Sequence, residues 1–295
     1  MKSEKMDMKQ IQAETEKFRA EMMAIQSKYI ANPTPENLVK MQQEMMAVQQ
    51  KMANLTAQYI AVAEGAEVRP ESFDFDADEG DEELEQFIKD HPVPADKAKY
   101  LPIGAMLLCT NYEPYQVFAM TGEKSDWKDA MKEAWGIKNA KDGREMLASL
   151  LDGRHESVLG EDYRNFKAKK PNELDEDSIE SYETLVEAAG EYLPTLAPYI
   201  GKCKTLIAWD LDRAGYLARI FVHLGWIDEK ESFDWIAKVA AKIKASGFTK
   251  WEEYFASILV GRAIHMGFDP EVIAAVYEIL VENKEFMKSH PFSAL

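Results

Sequence analysis

Four charged side chains lie on or beside the apolar faces of predicted helices, where burial would let them form a site. Asp210 and Arg213 are three residues apart, so they can pair on one face of a helix. Glu252 and Arg262 belong to a later predicted helix. Together these groups could bind an anion or hold a carboxylate as a general base. The aromatic residues that accompany them and complete the predicted ligand-binding site are Trp209, Trp251 and Tyr254.

The same residues also fit a purely structural network. Asp210 and Arg213 would then form a buried ion pair that holds the helices in register. Breaking such a pair costs about 3–5 kcal/mol, so stability alone could account for it. Glu252 would complete a helix cap, and the aromatic side chains would pack in the core. The sequence favours this structural interpretation over a ligand pocket, and a ligand pocket over catalysis, so no catalytic residue is assigned.

The sequence lacks the common motifs for nucleophilic, nucleotide and metal chemistry. It contains no GxSxG, P-loop or GxGxxG motif. Cys109 and Cys203 form no CxxC, and the five histidines form no HxxxH, so neither a metal site nor a cofactor is predicted. His155 follows Gly153-Arg154 at a predicted helix end, where a lone histidine is more often a cap than a catalyst.

The helices that would position the polar residues have the clearest sequence patterns in the chain. One is predicted over Thr205–Leu224, with its apolar face on the side of Asp210 and Arg213. Asp228 and Glu231 then form a capping-box pattern for the next helix.

Capping residues also mark the starts of two further predicted helices. Thr249 and Glu252 form a second capping-box pattern, and Asp269-Pro270 caps a last helix that runs to about Lys288. No alternating strand pattern competes with these helices, so the fold class is all-α, with a multi-helix domain over residues 97–295.

Residues 1–65 predict an antiparallel helical hairpin with a coiled-coil-like seam. Apolar residues recur every three and four positions in both halves, and Pro33 ends the first helix. The short turn folds the two helices back on each other. Because one seam buries little surface alone, the hairpin is expected to pack on the rest of this chain, to dimerise, or to dock on a different protein. The seam residues are Met8, Ile11, Thr15, Phe18, Met22, Ile25 and Tyr29, then Leu38, Met41, Met45, Val48, Met52, Leu55, Tyr59 and Val62.

Residues 66–96 form an acidic linker, predicted to be extended with a helix near Glu82–Lys89. The whole chain has a net charge of −17, which argues against binding duplex nucleic acid or an anionic membrane surface. No signal peptide or stretch of about 20 apolar residues is present, so a cytoplasmic location is expected.

An ordered series of motifs resembles the uncharacterised bacterial family known as domain of unknown function 1266. The resemblance covers roughly residues 100–267 and implies a cytoplasmic α-helical domain, with no activity, cofactor or substrate attached. The hairpin lies outside it. The matching motifs are Ala134-Trp135-Gly136-Ile137, Leu151-x-Gly153-x-His155, Trp209-Asp210-x-x-Arg213-Ala214, Leu224-Gly225-Trp226-Ile227-Asp228, Phe248-x-x-Trp251-Glu252-Glu253-Tyr254 and Gly261-Arg262.

Two functions therefore remain open at the level of sequence. The favoured one is a protein–protein interaction or adaptor role, with residues 1–65 binding a protein partner or a second copy of the chain. The alternative is a small-ligand-binding protein or an enzyme that uses the Asp210, Arg213, Glu252 and Arg262 cluster.

Overall fold

The computed structural model describes residue 28 and residues 77–295. Apart from residue 28, the predicted hairpin over residues 1–65 lies outside the described residues, as does the first part of the acidic linker. Within residues 77–295 every regular element is helical and no β-strand is present, which confirms the all-α prediction for this part of the chain.

The helices follow one another along the chain with short connections. A π-helical segment over Glu278–Glu282 and short 3-10 segments over Ala98–Tyr100 and Phe292–Ala294 accompany them. The α-helices are α1 (Ala77–Asp90), α2 (Ala105–Thr110), α3 (Lys124–Trp135), α4 (Ala140–Leu151), α5 (Glu156–Lys167), α6 (Glu176–Tyr192), α7 (Ala197–Lys202), α8 (Ile207–His223), α9 (Glu229–Ala245), α10 (Trp251–Met266), α11 (Pro270–Tyr277) and α12 (Lys284–Ser289).

Helix α8 is the centre of the domain. It packs against α9, α10, α4 and α2, and nearly every one of its residues is buried. A helix that is apolar on most sides is stable only when neighbours cover it all round. Three charged residues of α8 are buried with it, namely Asp210, Asp212 and Arg219. The predicted helix over Thr205–Leu224 is therefore present, but it is buried on every side and not on one apolar face.

Helix α10 lies directly against α8. A Cβ atom on Gly261 would lie 2.5 Å from Cβ of Trp209, a distance that real side chains do not reach. Glycine at position 261 thus lets the two helices approach closely, as small residues do wherever backbones meet. This contact sets the position of Trp209. It also places the last turn of α10, which carries His265, beside the start of α8 near Asp210.

Only some of the predicted helix-capping contacts are present in the structure. The Asp228 side chain accepts a hydrogen bond from the Glu231 backbone N–H at 2.7 Å, as its capping pattern predicts. The Glu231 carboxylate does not turn back, because it binds Arg144 through two bonds of 2.6 Å.

At the start of α10 the capping carboxylate is not the predicted one. Glu253 accepts from both the backbone N–H and the hydroxyl of Thr249, at 2.8 and 2.9 Å. The predicted role of Glu252 in this cap is therefore wrong, since a residue four positions after Thr249 makes the contact. Likewise, the predicted last helix is interrupted by the π-helical segment before α12 begins at Lys284.

Candidate functional site

The most unusual group of polar residues centres on His155 and Asp210. Asp210 is fully buried in the first turn of α8, and its Oδ1 lies 2.5 Å from His155 Nδ1. Its Oδ2 accepts from the backbone N–H groups of His155 and Glu156, at 2.9 and 3.1 Å. An ionised carboxylate only accepts, so His155 donates from Nδ1 and keeps its lone pair on Nε2. Asp210 therefore fixes both the position and the tautomer of the imidazole.

The turn before α5 brings His155 to this position. Gly153 has a φ of +82°, and a Cβ there would lie 2.7 Å from Cδ1 of Ile207. Only glycine adopts that conformation without strain. The chain can then reverse after α4 and start α5 directly over the first turn of α8, with His155 as the N-cap residue.

Arg213 contacts the imidazole ring of His155. Its Nη1 is 3.2 Å from Nδ1 and 3.3 Å from Nε2 of that ring. Because Nδ1 donates to Asp210, Nε2 is the nitrogen that can accept a hydrogen bond from Arg213. The guanidinium carbon also lies 4.4 Å from the centre of the Trp135 ring and 5.0 Å from that of Trp209, as cation–π contacts do.

The charges around Arg213 leave a local excess of positive charge. Burial lowers the pKa of Arg213 to about 10; Asp210 opposes this shift, and the positive charges of Arg154 and Arg262 add to it. Within residues 77–295, no carboxylate lies within ion-pair distance of Arg213 or Arg154. A cationic cluster of this kind in an acidic chain attracts an anionic group from solution.

His265 stands beside His155. The two ring centres are 3.9 Å apart, with the planes inclined by 62°. Burial lowers the pKa of His265 to about 4, and the positive charges of Arg213 and of His155 in its protonated form contribute to the shift. His265 is therefore neutral near pH 7. Its side chain and that of Arg154 are exposed, so this edge of the group is open to solvent.

We call the group formed by these six side chains the His155 cluster: Trp135, His155, Trp209, Asp210, Arg213 and His265. Arg213 can bind a carboxylate or a phosphate oxygen, and His155 can accept or donate a proton at Nε2. Asp210 orients the imidazole in the manner of the aspartate in acid–base triads.

The structure brings together three of the seven predicted site residues, namely Trp209, Asp210 and Arg213. Asp210 bonds to His155 and not to Arg213, so the predicted pair between them is replaced by a three-residue arrangement. Arg262 lies one turn before His265 on α10, where it donates to the Gly267 carbonyl at 2.6 Å and pairs with Asp269 at 2.9 Å. It contributes charge to the cluster but its hydrogen bonds go elsewhere.

The other three predicted residues lie near the opposite end of α10. Trp251 donates to the His290 carbonyl at 2.7 Å and packs on Phe292. The Tyr254 hydroxyl donates to Asp212 at 3.1 Å, away from the His155 cluster. Glu252 is partly exposed beside them. At about 1.5 Å per residue, Glu252 and Arg262 are about 15 Å apart along the helix, so they cannot share one small site.

Sequence reasoning missed the participation of His155, His265 and Trp135. Only His155 left a signal, as a histidine after a glycine at a helix start. Its partner Asp210 is 55 residues away in the chain, and no local pattern joins the two.

A second buried polar group, which we call the Arg219 network, lies on another side of α8. Asp212 accepts from the Gly104 N–H at 2.7 Å and from Tyr254. Arg219 donates to three backbone carbonyls, those of Leu101, Ile103 and Val117, at 2.7 to 3.1 Å. Burial raises the pKa of Asp212 to about 7 and lowers that of Arg219 to about 9. These bonds tie the segment around α2 to the central helix.

Neither cysteine is placed for nucleophilic chemistry. Burial raises the pKa of the Cys109 thiol, and Glu278, which accepts its hydrogen bond at 3.1 Å, adds to the shift. Burial also raises the pKa of Cys203. Since the thiolate is the reactive form, both thiols are poor nucleophiles.

The described residues contain neither a metal-binding cluster nor a membrane-spanning helix. No group of three or more histidine, cysteine, aspartate or glutamate side chains in this part of the chain could hold a metal ion. Among the helices described, none combines the length and apolar character needed to cross a membrane.

Comparison with known proteins places these residues in a family context. The model of the family described as "Protein of unknown function (DUF1266)" matches residues 130–291, a range that contains the whole His155 cluster. Among curated proteins, the chain is similar to the uncharacterized protein YbeR of Escherichia coli K12, with 23% identity over 154 residues. That match covers 52% of this chain and 64% of YbeR, so the chain spans less than two thirds of its relative. No solved structure matches.

Proposed function

Because the chain belongs to the DUF1266 family, whose description gives no activity, we propose a function from the site itself: the protein binds a small molecule through an anionic group held at Arg213. The observation that carries this proposal is the environment of the Arg213 guanidinium. Its guanidinium is partly buried between Trp135 and Trp209, in contact with His155, with no ion-pair partner within residues 77–295. Burying a charge without a directly paired carboxylate is costly, and an anion bound to the guanidinium would reduce that cost.

Within this proposal His155 is the acid–base group. Asp210 holds Nδ1, and Nε2 lies 3.3 Å from Arg213 Nη1. A ligand whose anionic group lies against Arg213 would be next to that nitrogen, so a proton could pass between them. His265, neutral near pH 7 and exposed, would add a second hydrogen-bonding group on the solvent side.

Inorganic phosphate is a suitable first probe. The chain has five histidines, so the ring C–H signals can be followed individually by NMR during a phosphate titration at low ionic strength. We expect saturable shifts of the His155 and His265 signals, assigned with a His265→Gln variant. Arg213→Gln should weaken binding about tenfold or more, which corresponds to about 1.4 kcal/mol.

Arg144→Gln is the matched control, because this arginine already pairs with Glu231 on another surface. It should leave phosphate binding unchanged. Absence of shifts in the wild-type protein, or equal binding by the Arg213→Gln variant, would contradict the proposal.

A second candidate function, an adaptor that binds a protein partner or a second copy of the chain, is supported by the 3.5-residue repeat in residues 1–65. In this proposal an antiparallel hairpin is joined through residues 66–96 to the domain over residues 97–295. Its seam is rich in methionine, which adapts to varied partners. The two candidates are compatible, since they use different parts of the chain.

The oligomeric state of the full-length protein tests the adaptor proposal. Light scattering should give a mass above 33.6 kDa that falls to the monomer value in a Met45→Glu variant. Gln43→Glu adds the same charge outside the seam and should leave the mass unchanged. A monomeric wild-type protein would exclude self-association and leave only a different protein as partner.

We further propose a cytoplasmic location, because Cys109 and Cys203 are both free thiols and a reducing compartment preserves them. Fractionation of host cells, followed by detection of the protein, tests this. Recovery from an extracytoplasmic fraction would contradict it.

A further inference from the structure

A cavity of about 390 Å³ lies on the side of α8 away from the His155 cluster. It is bounded by residues 91–94 after α1, residues 118–120, the last two turns of α8 and the start of α9. Arg219 and His223 line it from α8. Arg219 follows Asp210 by nine residues, which at 3.6 residues per turn places the two on opposite sides of the helix. The volume is within the range of pockets that hold small ligands.

Two buried nitrogens of residues that line the cavity have no hydrogen-bond partner within residues 77–295. They are Nε of Arg219 and Nε2 of His223, which are four residues apart and so stand on the same side of α8. Arg219 is only 1% exposed, and its other nitrogens are bonded to backbone carbonyls. Buried polar atoms nearly always have a partner, so these two nitrogens indicate a missing one. Arg219 Nε can only donate, and His223 Nε2 donates in the tautomer or the charged form that carries a proton there, so one acceptor can serve both.

The rest of the wall is mainly apolar. Phe118 and Phe233 meet edge to face with ring centres 4.9 Å apart, and Val222 and Met120 also line the cavity. The one other buried polar side chain on the wall, Ser232, already donates to the Ala218 carbonyl at 3.0 Å. The cavity therefore offers aromatic and aliphatic contacts along most of its surface and hydrogen-bond donors at one end.

The charges around the cavity restrict the ligand further. Arg219 remains charged at neutral pH, because burial lowers its pKa only to about 9. The exposed Glu229 also lines the cavity, which disfavours a multiply charged group such as a phosphate. A single negative charge at the end of an apolar body fits both features.

We propose that this cavity is a second ligand site, which binds a small aromatic or branched aliphatic carboxylate. The carboxylate accepts hydrogen bonds from Arg219 Nε and His223 Nε2, and the apolar body packs against the wall that Phe118 and Phe233 form together. The site is independent of the anion site at Arg213, since the two lie on different sides of α8.

Phenylacetate is the probe, and 2-phenylacetamide, which has the same shape without the charge, is its control. Calorimetric titration of the full-length protein should show saturable binding of phenylacetate and binding of the amide that is about tenfold weaker or more. Val222→Trp fills the cavity and should abolish binding of phenylacetate. Val158→Trp adds the same side chain at a position on α5 that is 70% exposed, and should leave binding unchanged.

Two further variants complete the test. His223→Phe keeps a ring of similar size without the Nε2 donor and should weaken phenylacetate binding, which provides a readout if Val222→Trp does not fold. Arg213→Gln should not change phenylacetate binding, which separates this site from the His155 cluster. Failure of the wild-type protein to bind phenylacetate, undiminished binding by either cavity variant, or loss of binding only in Arg213→Gln would overturn the proposal.

Discussion

Helix α8 carries two sets of buried carboxylate and arginine side chains, and the molecule uses them in different ways. In the Arg219 network, Asp212 and Arg219 bond mainly to backbone groups of the segment around α2. In the His155 cluster, Asp210 and Arg213 contact a histidine side chain, and part of the group is open to solvent. Charged groups bonded to the backbone hold a fold together, whereas charged groups around a titratable side chain can act on a ligand.

The largest expected effect is on the stability of the Arg219 network. Arg219→Met removes the donors to three buried carbonyls and the positive charge near Asp212, so the free energy of unfolding should fall by about 3–5 kcal/mol. Chemical denaturation at pH 7 measures this. Arg144→Met, which removes an ion pair with Glu231 at the surface, should lower the free energy of unfolding far less. Similar losses in the two variants would show that the buried network is not structural.

Asp210→Asn should have a smaller effect on stability. The asparagine oxygen can still accept from the backbone N–H groups of His155 and Glu156, but the charge is lost. Its NH₂ group then faces His155 Nδ1, where it donates and cannot accept. We expect a loss of about 1–3 kcal/mol in the free energy of unfolding. The same variant should also change the tautomer of His155, which ¹⁵N NMR of the ring nitrogens reports. An unchanged tautomer would show that Asp210 does not orient the imidazole.

The two sets should respond to pH with opposite signs. The pKa of Asp212 is raised to about 7, so the folded state holds its proton more strongly than the unfolded state. The protonated Asp212 side chain therefore makes its full contribution to the free energy of unfolding below about pH 4, and this contribution is lost as the pH rises towards 7. Asp212→Asn should remove this loss. Denaturation curves at several pH values test it, and an identical pH dependence in the variant would contradict it.

In the His155 cluster, the pKa of His265 is lowered to about 4, so the unfolded state binds its proton more strongly. The folded state is therefore disfavoured as the pH falls from about 6.5 towards 4. His265→Gln should lose less stability than the wild-type protein over that interval. Equal losses in the two proteins would show that His265 is not shielded from protonation.

The sequence predicted the helices of the central region better than it predicted their contacts. Helix α8 and the cap at Asp228 were recognisable because periodicity and capping are local properties. Asp210 and Arg213 were recognisable as polar residues on an apolar helix. Asp212 and Arg219 were not recognisable as buried residues, because a helix with one apolar face would place them in solvent. They are buried because neighbouring helices cover α8 on every side.

Tertiary contacts explain the remaining differences. His155 meets Asp210 only because the turn at Gly153 places α5 over the start of α8. Glu252 and Arg262 were grouped as one site because both are charged residues of one helix, but ten positions separate them. These outcomes depend on how helices pack, which no short sequence window contains.

The most direct test of the anion site is the pKa of His265, measured by NMR with and without inorganic phosphate. An anion bound at Arg213 would offset the positive charge that helps to lower this pKa. We therefore predict that saturating phosphate raises the pKa of His265 above about 4 in the wild-type protein, and has no such effect in the Arg213→Gln variant. A pKa that phosphate leaves unchanged in the wild-type protein would contradict the account.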